Sequence, residues 1–178
     1  MTGYSLPAYT HIPGVTPHPL RDPAGHSYGM HVAEWSSTST EQPVLTWNDV
    51  PGHPDFRWAV TLFNAGYYWE SHEAWESLWH AAGRTGEIAD CLKGLIKLAA
   101  AGVKLREHNV TGFARHTMRA LELFQQVQAQ RECESVVPDP LPLAQWIEMT
   151  KQLVLDCPPL PADRTGQPVD CLPQLPLA

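Results

Sequence analysis

The sequence predicts an all-α fold, a compact bundle of about four helices flanked by an irregular Pro-rich N-terminal arm and C-terminal tail. Three observations carry this expectation. All 17 prolines fall outside the stretch from Asp55 to Val137, and proline is the residue least compatible with a helix interior. Inside that stretch apolar residues recur at helical spacing, and no segment alternates with the period of a strand. At 178 residues the chain suits one domain with arms and can bury a real core. The organisation expected is an arm over 1–54, a helical domain over 55–156 and an extended tail over 157–178.

The arm is rich in Pro, Gly, Ser, Thr and His, and Ser36-Ser37-Thr38-Ser39-Thr40 reads as a flexible connector. Its segment from Ile12 to Ser27 is stiffened by proline and presents His18, Arg21, Asp22 and His26. It is read either as a loose leader or as a strap that crosses the bundle and closes its Glu/His face. A first helix is expected from about Phe56 to His80, ended by Gly83. At about 100° per residue, Phe56, Val60, Phe63, Tyr67, Ala74 and Leu78 share one inward arc. The second helix, about Glu87 to Glu107, is apolar over half its circumference, so other helices should surround it. Lys93, Lys97, Lys104 and His108 occupy its remaining strip. The third helix, Thr111 or Gly112 to about Gln130, points Phe113, Met118, Leu121, Phe124 and Val127 inward. Prolines then mark a loop before a fourth helix, Leu143 to Leu155, with Leu143, Trp146, Ile147, Thr150 and Leu153 or Val154 on one face. The tail holds too much proline to be anything but extended, though its Leu residues can lie on the core.

The densest chemistry lies between Phe63 and Trp79, where Glu70, Glu73 and Glu76 stand at i, i+3 and i+6 beside His72. Neighbouring carboxylates repel, and they become tolerable through a cation, through Lys or Arg from another element, or by keeping a proton. Two readings follow. In a structural network, Lys93, Lys97 and Lys104 face the acidic ridge. In a functional site, His72, Glu76 and His80 form an i, i+4, i+8 line of donors suited to a divalent metal ion. One straight helix seldom offers three ligands to one ion, because His80 lies about 12 Å along the axis from His72. Neither the zincin H-E-x-x-H pattern nor a di-iron E-x-x-H pair is present.

Phe63, Asn64, Gly66, Glu70, His72, Glu73, Glu76 and Trp79 resemble, one by one, the signature helix of a bacterial and archaeal family known as domain of unknown function 309. Lys93-Gly94-Leu95-Ile96-Lys97-Leu98-Ala99-Ala100 is similar to its second motif, with Lys97 where the family is expected to carry Gln. Lys only donates where Gln both donates and accepts. The resemblance covers roughly residues 55–130 and implies a helical bundle without implying a reaction. It marks Glu70, Asn64 and Trp79 as further residues of interest, and Gly66 as a helical glycine that permits close approach of another backbone.

Net charge is −7, from 12 Lys and Arg against 19 Asp and Glu, which disfavours nucleic acid and anionic membranes. No basic start leads into an apolar run, so a cytoplasmic location is expected. Cys91, Cys133, Cys157 and Cys171 lack metal-site spacing and read as reduced thiols. The 7 Trp residues exceed what one core arc can hold, leaving some for a pocket, the arm or a homo-oligomeric contact. Two functions of different class emerge. One is a small, metal-assisted enzyme of hydrolase type, with Glu73 or Glu76 as base, His72 as partner or ligand, and Lys93 or Lys97 as cationic stabiliser. The other is a non-catalytic module that binds a small molecule or protein, with the same residues as structural network.

Overall fold

The computed structural model describes residues 5–29, 45–133, 139–162 and 165–177. The connector at 36–40 lies outside the described residues. Among the described residues, five α-helices follow one 3-10 turn at Val50–Gly52: α1 (Pro54–Asn64), α2 (Tyr68–Ala81), α3 (Glu87–Arg106), α4 (Val110–Cys133) and α5 (Leu143–Leu155). No strand occurs among the described residues. No helix among them is long and apolar enough to cross a membrane. The central helix, α3, packs on α2 and α4; α1 lies against α2, and α5 against α4.

Five helices replace the expected four because the first is broken. Gly66 has φ +81°, and its N–H donates to Phe63 O at 3.0 Å while Tyr67 N donates to Leu62 O at 2.9 Å. That pair of bonds is a Schellman ending, with Gly66 as the left-handed residue past the last helical turn. The inward arc survives the break, with Phe56, Val60, Phe63, Tyr67 and Leu78 buried and Ala74 half-buried. Gly66 therefore sits between helices, not inside one. Its close approach is real, since a Cβ there would meet the Val169 backbone at 2.6 Å. The expected stop at Gly83 has the same geometry, with Gly83 N to His80 O at 3.1 Å and Arg84 N to Trp79 O at 3.2 Å.

Burial around α3 matches its wide apolar surface: Leu92, Leu95, Leu98 and Ala99 are sealed on several sides. Rings of Phe124 and Tyr68 fill the space above Gly94 and Gly102. On α4, Phe113, Phe124 and Val127 point inward, whereas Met118 is 53% exposed. Its place on the inward side is taken by Thr117 and Ala120, whose small side chains let α3 approach. Trp146 and Ile147 of α5 close the far side of the core.

The tail runs extended across the break between α1 and α2. Having no regular partner, its backbone is satisfied by side chains of the bundle. Asn64 Oδ1 accepts from Leu175 N at 2.7 Å and its Nδ2 donates to Leu175 O at 3.1 Å. Tyr68 Oη accepts from Leu172 N at 2.9 Å, Arg106 donates to Gln167 O at 2.7 Å and Trp146 Nε1 donates to Pro176 O at 3.2 Å. Leu172 and Leu175 are buried between these clamps. The arm joins the tail where Thr10 N donates to Gly166 O at 2.8 Å, and it buries Ile12 completely.

Candidate functional site

Helix α2 carries the acidic ridge, and the arm divides it. Glu70 sits in the first turn of α2, where the helix dipole favours negative charge. It is 8% exposed. Its Oε2 accepts from Thr10 Oγ1 at 2.8 Å, and its Oε1 accepts from His11 N at 2.8 Å, with His26 Nε2 at 3.3 Å. Beside it, Trp69 receives the ring edges of His11 and His18, with centroids 5.1 and 5.3 Å away. Burial is the main cause that holds the His11 imidazole below its ordinary 6.5, and the neighbouring His18 adds to it. Ser71, fully buried, donates to Ala59 O at 2.9 Å and pins α2 to α1.

One turn on, the same helix is open. His72 Nδ1 lies 3.4 Å from Glu73 Oε1 and 3.9 Å from Glu76 Oε2. One donor atom from each of the three falls within 4.8 Å of the others. All three side chains are half-buried, yet His72 Nδ1 itself is enclosed and makes no hydrogen bond among the described residues. The nitrogen and two carboxylate oxygens form a donor set with lone pairs to spare. His80 stands outside this group; it is exposed and leans on Trp79, ring centroids 5.1 Å apart. Glu73 takes the place that spacing along the helix assigned to His80, because residues at i+1 and i+4 reach one imidazole more readily than one two turns away.

The expected lysine network is absent among the described residues. Neither Lys93 nor Lys97, both half-buried, forms an ion pair with a carboxylate of the described residues, and Lys104 pairs with Glu107 at 2.7 Å. The charge of Glu70 is met by the arm instead, through hydroxyl, amide and imidazole donors. Of the arm residues singled out, His18 and His26 reach α2. Arg21 is exposed, and Asp22 folds back to accept from Ala24 N at 2.9 Å. Asn64 belongs to the tail clamp. The indole N–H of Trp79 is enclosed without a hydrogen bond among the described residues.

Sequence reasoning missed three residues. Thr10 and His11 supply two of the three donors to Glu70, and nothing local signals that they should. His116 on α4 lies within electrostatic reach of His72 and Lys97. Burial holds its imidazole below 6.5, and the positive charges of Lys97, Arg115, Lys104 and His72 lower it further. Its position three residues after the buried Phe113 was a usable signal, since it puts His116 beside the packed face.

Residues 56–116 match the model of a family described as "Domain of unknown function (DUF309)". No curated protein and no solved structure matches the chain.

Proposed function

On the premise that the chain belongs to the DUF309 family through residues 56–116, a description that names no reaction, we propose that it binds a divalent cation through His72, Glu73 and Glu76. We further propose that it uses the ion in a hydrolytic reaction. The observation that carries this reading is the convergence of one imidazole nitrogen and two carboxylate oxygens within 4.8 Å, with the nitrogen enclosed and unbonded. Imidazole plus carboxylate is a donor set that zinc and manganese accept. Three protein donors on a half-exposed surface leave room for water or substrate, the arrangement of catalytic rather than structural sites. When bound, such an ion supplies Lewis acidity and lowers the pKa of water. Glu73 and Glu76 each keep a second oxygen able to take a proton, and Lys97, whose charge reaches His116 beside His72, offers a positive flank for an anionic group.

The rival reading, a binding or assembly module with a purely structural network, draws support from Glu70. Its buried lone pairs are filled, so Glu70 belongs to the network and not to the proposed site. Calorimetric titration of metal-stripped protein with zinc or manganese separates the two. One saturable equivalent is expected, lost in His72→Ala and kept in His80→Ala. Absence of binding, or equal binding by His72→Ala, removes the cation site.

A further inference from the structure

A cavity of about 420 Å³ lies between the arm and α1–α2. That volume falls within the range of small-molecule sites. Its walls include Trp58 and Trp69, the carboxylates of Glu70 and Glu73, His26, and Ser77. No Lys or Arg is among its lining residues. The one basic side chain among its described lining residues, His26, is already turned to Glu70 at 3.3 Å and carries charge only when protonated. Two carboxylates thus face a partly open, largely apolar cleft with no Lys or Arg among the described residues that line it. Carboxylates in a cleft with low-dielectric walls make its potential negative and favour a ligand of positive charge. Indole faces add to the same preference, since they attract cations, and organic cations above all because those shed water readily.

We infer that this cavity binds a small organic ammonium, a protonated amine with an apolar body, seated between Trp58 and Trp69 with its N–H groups on Glu73. Glu70 contributes charge from behind its own hydrogen bonds, while Glu73 Oε1 faces His72 and leaves Oε2 to accept from the ligand. A hydrated inorganic cation fits this cavity less well, because Trp58, Trp69 and Leu62 offer it no oxygen. The site shares Glu73 with the proposed divalent cation site and is otherwise built from different residues. Occupancy of one therefore reports on the other through a single carboxylate.

The test uses the full chain, stripped of metal, titrated with phenethylammonium and followed by calorimetry and tryptophan fluorescence. Saturable binding is expected, with phenethyl alcohol, the uncharged counterpart, weaker by about tenfold or more. Trp69→Ala and Glu73→Gln should each weaken the amine by about tenfold. Because Trp69 also receives the arm, Ser77→Phe gives a second variant that fills the cavity, with circular dichroism reporting that the helices persist. It should block the amine. His72→Ala should still bind phenethylammonium while losing zinc, so that failure of the cation site and failure of this cavity are read separately. No saturation by the amine, equal binding of the alcohol, or undiminished binding by a folded Ser77→Phe would overturn the inference.

Discussion

Glu70 and Glu73 are the same residue type one turn apart on one helix, and the molecule uses them in opposite ways. Glu70 lies under the arm with both oxygens occupied by Thr10, His11 and His26. Glu73 and its neighbour Glu76 are half-exposed, and among the described residues their only ion-pair partner is His72. Desolvation explains the difference. A carboxylate removed from water must have its lone pairs filled or it destabilises the fold, whereas one that keeps water can leave them free for a ligand. Finding a glutamate in a motif thus says little about its use until its cover is known.

The comparison breaks most completely if the cover is removed. Deleting residues 1–27 strips the buried Ile12 and the donors to Glu70, and should lower stability by more than about 3 kcal/mol in thermal or urea unfolding. It should also open Trp69 to an external quencher. Unchanged melting and quenching in the truncated chain would mean that the arm does not seal Glu70. A narrower cut is Glu70→Ala, which leaves Thr10, His11 N and His26 without their acceptor. The expected loss is about 2–3 kcal/mol, against within about 0.5 kcal/mol for Glu76→Ala on the open side. Equal losses in the two variants would erase the distinction between sealed and open.

The smallest effect is in pH dependence. His11 under the arm and His116 on the open side both have imidazoles held below 6.5 in the fold. Such a group takes its proton more readily in the unfolded chain, so its contribution is present above about 6.5 and is lost as pH falls from there through the lower folded value. Melting temperature should therefore fall between about pH 7.5 and about pH 5.5. His11→Gln and His116→Gln should each flatten that fall, the first reporting on the sealed region and the second on the open one. A profile unchanged in both variants would show that neither imidazole is coupled to folding.

Much of this was legible in the chain. The proline-free block, the inward arc through Phe56, Phe63 and Leu78, the terminator at Gly83 and the bounds of the last helix all follow from local spacing. Gly66 was misread because the apolar arc runs on past it, and periodicity outweighed the signal that the same glycine carries as a helix terminator. Met118 was placed inward with the other apolar residues of its helix, though the close packing of α3 on α4 favours Thr117 and Ala120 there. The lysine strip of α3 was seen, but complementary strips on two helices do not have to meet when a third element supplies the donors.

By itself the sequence determined where helices form, and that one of them presents Glu70, His72, Glu73 and Glu76 in close succession. Both depend on interactions reaching three or four residues along the chain, which repeat in the order of the letters. Only the tertiary structure decided which carboxylate would be sealed. The contacts responsible, from Thr10 and His11 to Glu70, span 60 and 59 residues. They exist because the arm finds an apolar seat for Ile12 and Trp69 beside a charge that burial obliges the fold to satisfy.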